Sequence, residues 1–184
     1  MEHDTPAAPA APAVRVKVVE DDLFGPVTVS LDLGAGVVVV HGDAVPRVEL
    51  RRDAAVSAID EHVPVGTRDG ASLTLVVDGS AVPIRPGKGR LTRHSFRVDV
   101  PYAEVVYRLV PDSLAGSRLL RGGEPIGEFT SDGDGAVLVE WRDGVGVRAV
   151  EVGLGYALAA AFGTGAGPMW LLVLEALGDL ITPG

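Results

Sequence analysis

Residues 152–174 read VGLGYALAAAFGTGAGPMWLLVL, 23 positions without an Asp, Glu, Lys or Arg. How this stretch is read decides the fold. One continuous helix would reach roughly 35 Å at ~1.5 Å per residue, enough to cross a hydrocarbon core. A glycine-rich loop at Gly163-Thr-Gly-Ala-Gly-Pro168 would cradle a phosphate. Two shorter helices would bury their apolar faces in a folded body.

The residues favour two helices. Gly153, Gly155, Gly163, Gly165 and Gly167 fall within the run and Pro168 follows them. In soluble hosts each interior Gly costs about 1 kcal/mol against Ala and a Pro about 3. Lipid tolerates both better, but Glu151 and Glu175 bracket the run and no Lys or Arg follows Arg148 to anchor the far end. Val147, Val150, Leu154, Ala157, Leu158 and Ala161 recur at i, i+3, i+4 spacing. Met169, Leu172, Val173, Ala176, Leu177 and Leu180 do the same, with Glu175 and Asp179 opposite. Gly163 suits a position just past a helix, and Pro168 suits the first turn of the next. A nucleotide loop would need a strand before it, where this sequence places a helix. The expectation is a helical hairpin over residues 145–182. A tail-anchored protein with residues 152–174 spanning a membrane is the alternative.

Upstream the period is two. Val14–Val19, Val27–Leu33, Gly36–His41, Val45–Leu50, Ser72–Val77, Leu91–Val100, Val105–Val110, Arg118–Arg121, Pro125–Thr130 and Ala136–Trp141 read as about ten strands. Glycine-bearing turns such as Asp78-Gly79 and Gly122-Gly123 separate them. Arg51–Asp60 suggests a short helix or helical turn. Spacing of roughly 8–12 residues is the rhythm of an antiparallel sandwich or barrel. The fold class expected is therefore α+β: a β-rich body over 14–144 closed by the C-terminal hairpin, as one domain.

Composition bounds the chemistry. The 184 residues are 47% apolar and 22% charged, ordinary for a globular domain, with the bulk in Val, Ala and Leu. There is no cysteine, so disulfides, thiolate nucleophiles and cysteine metal sites are excluded, with a lean towards the cytoplasm. Residues 1–13, MEHDTPAAPAAPA, lack the basic and apolar regions of a signal peptide and read as a disordered lead. A net charge of −9 argues against nucleic acid as a partner.

Few residues suggest catalysis. His41 beside Asp43 has the raw material of a base or metal ligand, and an enzyme site there is one alternative. Asp60-Glu61-His62 carries ligand atoms that neighbouring residues rarely turn onto one ion. Ser131-Asp-Gly-Asp-Gly135 superficially suggests a calcium loop but lacks its ligand register, and turn chemistry explains it. No catalytic set, resident metal or cofactor is expected.

The candidate binding site is a basic segment, IRPGKGRLTRHSFR over residues 84–97, with Arg85, Lys88, Arg90, Arg93 and Arg97 and no acid between Asp78 and Asp99. On a strand over Leu91–Asp99, Arg93 and Arg97 would share one face and Phe96 the other. Such a stripe suits an anionic ligand, a lipid headgroup or an acidic protein surface. The bland reading is a solvated face paired with Asp99 and Glu104.

The runs YRLVPDSL (107–114), SRLLRGGEPIGEF (117–129) and VLVEW (137–141) resemble the strand series of tubby-like and LURP-one-related proteins, a superfamily that includes the phospholipid scramblases. The resemblance spans roughly residues 90–180. It implies a β-barrel around an apolar C-terminal helix, with a basic barrel surface that binds phosphoinositides. No residue-level motif carries over to Arg85–Arg97, and Gly167-Pro168 breaks the helical region where the family has one helix. The Val-, Ala-, Gly- and Arg-heavy composition also resembles that of actinobacterial proteins, which implies no activity. The reading as a whole is a non-enzymatic binding or scaffold domain.

Overall fold

β-Branched residues at alternate positions build the first sheet. In the computed structural model, β1 (Val14–Asp21), β2 (Gly25–Asp32), β3 (Val37–Gly42), β4 (Val48–Arg52), β5 (Leu73–Val77) and β6 (Ser80–Val82) form a six-stranded antiparallel meander. On β2, Val27, Val29 and Leu31 point inward and are fully buried, while Thr28 and Ser30 between them are half-exposed. Asp78 and Gly79 take φ of 45° and 77°, the positive pair that a tight hairpin between β5 and β6 requires. The structure describes residues 14–56, 63–89, 93–112, 116–131 and 135–163.

The second sheet repeats the plan. β7 (Arg85–Pro86), β8 (Val98–Tyr102), β9 (Val105–Pro111), β10 (Gly116–Arg121), β11 (Glu124–Ser131) and β12 (Val137–Trp141) form another six-stranded antiparallel meander. No ladder joins the two sheets among the described residues, so they remain open sheets and not a closed barrel. The described residues hold twelve strands where about ten are expected. β6 and β7 span three and two residues, too short for alternation to show, and β7 contains a proline.

Between the sheets lies α1 (Ala149–Phe162). It contacts β2, β3 and β4 on one side and β9, β11 and β12 on the other. Every residue from Glu151 to Phe162 is buried, as expected of a helix without a polar face. The stripe expected from spacing is thus one side of an element covered all round. Small residues let both sheets close on it. A Cβ at Gly153 would come within 2.8 Å of Val48 Cγ2, and one at Gly155 would run into the Phe129 ring.

Polar groups at the core boundary are matched. Asp21, 4% exposed, accepts from the backbone N–H of Leu23 and Phe24 and from Trp141 Nε1 (2.9 Å) and Tyr156 Oη (3.1 Å). One carboxylate therefore ties β1, β12 and α1 together. Arg52 is buried and donates to the carbonyls of Val56, Pro64 and Val65. At the other end of the helix, the Ala161 carbonyl accepts from the N–H of both Val65 and Gly66. Those bonds satisfy acceptors that a helix end leaves open.

Several expectations are corrected. α1 starts at Ala149, four residues later than expected, because Arg148 is extended and its N–H is capped by Glu151 Oε2 at 2.9 Å. Leu91–Val100 is not one strand: Arg93–Phe96 forms a 3₁₀ turn and β8 begins at Val98. Gly87 and Gly89 cause this by donating to the carbonyls of Arg97 and Ser95, which folds the chain back on itself. Residues 51–56 hold the end of β4 and a turn in place of a helix, and residues 57–60 lie outside the described residues. The lead over 1–13 and the second helix of the hairpin, within 164–184, also lie outside them. α1 ends at Phe162 and Gly163 turns the chain at φ 57°, while residues 164–174 of the alternative span over 152–174 lie outside the described residues. No helix among the described residues is long and apolar enough to cross a membrane.

Candidate functional site

Strand register assembles the site. On β9 alternation buries Tyr107 and Leu109 and turns Val106, Arg108 and Val110 to the outer face. The ladders set Asp99 opposite Arg108 and Arg85 opposite Asp99. On the other flank Leu120 stands opposite Arg108, and Arg118 opposite Val110. Residues far apart in sequence thus form adjoining rows across the second sheet.

Within those rows Arg97, Arg108 and Arg118 border one groove of about 450 Å³, floored by Val110, Leu120 and Pro125. Arg108 holds Asp99 through two bonds, Nε to Oδ1 at 2.5 Å and Nη2 to Oδ2 at 3.2 Å. Arg97 Nε reaches the same Oδ2 at 3.3 Å, and Arg118 Nε lies 3.0 Å from Asp112 Oδ2. The hydrogen bond to Asp99 raises the Arg108 pKa, which fixes its charge. These arginine side chains are 42–44% exposed, so each pair contributes at most about 1 kcal/mol and is readily exchanged for another anion. A guanidinium also carries five N–H donors, more than one carboxylate can occupy.

The groove continues along the strands. A second depression of about 440 Å³ shares Arg108 and Gly123 with the first and adds Glu104, Val105, Val106 and Gly122. Glu104 lies in the β8–β9 turn with φ 66°, next to Ala103 at 47°. Gly122 and Gly123, at φ 59° and 101°, form the neighbouring β10–β11 turn. The trough therefore runs from a basic end at Arg97 and Arg118 to an acidic end at Glu104.

Of the basic segment named from sequence, Arg97 lines the groove and Arg85 lies in the same sheet row, opposite Asp99. Lys88 is exposed in the loop after β7, and Arg90 lies outside the described residues. Arg93 sits in the 3₁₀ turn, so it does not share a strand face with Arg97. Nor does Phe96 line the opposite face of a strand. Its ring lies 5.1 Å from the Arg68 guanidinium, which also stands 5.4 Å from the Phe162 ring and donates to the Phe96 carbonyl at 2.8 Å. Burial lowers the Arg68 pKa to about 10, leaving it charged at neutral pH beside the negative end of the α1 dipole.

Arg108 and Arg118 escaped the sequence reading. Each occupies an outward position in a clear alternation, YRLV and SRLL, but their convergence depends on ladder register. His41 and Asp43 are both exposed at the end of β3 and in the loop after it. Asp60, Glu61 and His62 lie outside the described residues. No family model matches the chain, and no curated protein or solved structure matches it significantly.

Proposed function

We propose that this chain is a non-enzymatic binding or scaffold domain that recognises an anionic group on the outer face of its second sheet. The observation that carries this reading is the convergence of Arg97, Arg108 and Arg118 on one groove with an apolar floor. Guanidinium groups suit this task because their planar forks bind carboxylate or phosphate oxygens in pairs. Apolar walls lower the local dielectric and strengthen each such bond. The tubby-like resemblance points the same way, since that family uses a basic surface of its β-domain. An apolar helix enclosed between sheets also accords with it.

Binding to a panel of anions tests the reading: phosphatidylserine vesicles, phosphorylated small molecules and acidic peptides, with wild type compared against Arg97→Glu/Arg118→Glu. Wild type should bind one class and lose at least about tenfold in the double variant, the usual weight of arginines in a contact centre. Equal binding by both proteins, or none by either, overturns the proposal.

A further inference from the structure

The trough's shape and charge specify its ligand more narrowly than its arginines do, and this step rests on the anion-binding reading above. We infer that the ligand is an extended segment of a protein partner, carrying acidic and apolar side chains and lying along β9 and β10.

Length is the first argument. The outward positions Val106, Arg108 and Val110 mark successive steps of the trough, which at ~3.4 Å per residue extends roughly 14 Å along the strand. Two depressions that share Arg108 and Gly123 make one elongated channel, not a single round pocket. An extended peptide of about four or five residues fills that outline.

Charge is the second. Arg97, Arg108 and Arg118 meet Asp99, Asp112 and, across the β10–β11 ladder, Glu128; with Arg85 opposite Asp99 the excess among these groups is a single positive charge. A multiply phosphorylated headgroup would leave most of its charge unmatched here and would also meet these carboxylates. One peptide carboxylate matches the excess. Glu104 at the far end then repels further acid and favours a lysine or arginine, which gives the trough a polarity.

The apolar floor is the third. Alternation turns Val110 to the outer face, yet it is only 7% exposed, between Arg97 and Arg118. Leu120 and Pro125 continue the surface beside it, and Val106, 44% exposed, continues it at the Glu104 end. Such a floor rewards a leucine or valine two residues from the acid, on the same side of the extended segment, and offers nothing to a free phosphate.

Fluorescence anisotropy with labelled peptides tests this on the full chain. The probe is Glu-Ser-Leu-Ser-Lys, blocked at both ends, which puts its acid, leucine and lysine on one side; controls are Glu-Ser-Ser-Ser-Lys, inorganic phosphate and phosphatidylserine vesicles. The first peptide should bind, and the serine version at least about tenfold more weakly, as expected for one lost leucine side chain. Arg97→Glu/Arg118→Glu should abolish binding, and Glu104→Lys should weaken it while improving affinity for Glu-Ser-Leu-Ser-Glu. Circular dichroism of each variant must match wild type, which separates lost contacts from lost fold. If vesicles or phosphate bind through these arginines and the peptide does not, the peptide inference falls and the anion reading stands. Equal affinity for leucine and serine peptides also overturns the inference. If no anion binds, both fall.

Discussion

Arg121 Nη1 stands 3.1 Å from Glu151 Oε1, joining the end of β10 to the first turn of α1. Glu151 is wholly buried; its Oε2 also caps the helix at the Arg148 N–H, and it shares a side-chain hydrogen bond with Tyr107. The same Nη1 donates to the Gly146 carbonyl, so one guanidinium holds both the helix and the segment leading into it. A buried carboxylate stays charged only where such partners replace water.

Removing the cation alone should therefore cost more than the pair contributes. Arg121→Met is expected to lower stability by about 3–5 kcal/mol, the usual penalty for stranding a buried charge. Urea unfolding measures it. Arg121→Met/Glu151→Leu should recover much of that loss, because the stranded charge is then gone. A single variant as stable as wild type would show that Glu151 does not depend on Arg121.

Two glycines in α1 run against helix propensity, and the packing explains them. Gly155→Ala gains up to about 1 kcal/mol of propensity. Its new Cβ would collide with the Phe129 ring, whose edges also meet Trp141 and Tyr156 at centroid separations of 5.4 and 5.9 Å. Overpacking of this kind typically costs about 1–3 kcal/mol, so a net loss is expected, visible as a lower Tm. Gly146→Ala meets no atom within 4 Å and serves as the control.

Tyr156 gives a signature at high pH. Burial raises its pKa above the ordinary 10.0, and the charge of Asp21 adds to the shift. A group whose folded pKa is raised keeps its stabilising effect below the unfolded value and loses it as pH climbs towards the folded one. Above pH 10 the unfolded chain releases this proton while the folded chain retains it. The tyrosine therefore contributes a slope of about −1.4 kcal/mol per pH unit. Tyr156→Phe should be less stable than wild type at pH 8 and should lack that share of the alkaline decline. Parallel stability curves for the two proteins above pH 10 would contradict it.

Period-two alternation made most of the body legible, because most strands bury one face in the core and show the other to water; β1, whose Val14, Val16 and Val18 are exposed, is the exception. Where the alternation stops, legibility stops too. β6 and β7 are too short to hold a pattern, and the Arg93–Phe96 turn depends on backbone bonds from Gly87 and Gly89 that no side-chain pattern announces. The end of α1 was readable from Gly163, since few other residues accept its backbone angles. Its enclosure on every side was not, because alanine looks alike on a covered face and on a bare one. The groove shows the limit most clearly. Arg97 stood out within a run of cations, while Arg108 and Arg118 looked solitary until register set them beside it.

Each sheet is a meander, so its ladders link neighbours in the chain and their loops close at small entropic cost. The helix that fills the space between them comes after β12 in the chain. During synthesis, then, both sheets emerge before the element that covers their inner valines and leucines. Until α1 arrives, those faces can meet only each other, water or a chaperone. The order of the chain makes the helix a keystone laid last, and a ribosome that stalls before residue 149 would release two sticky half-walls.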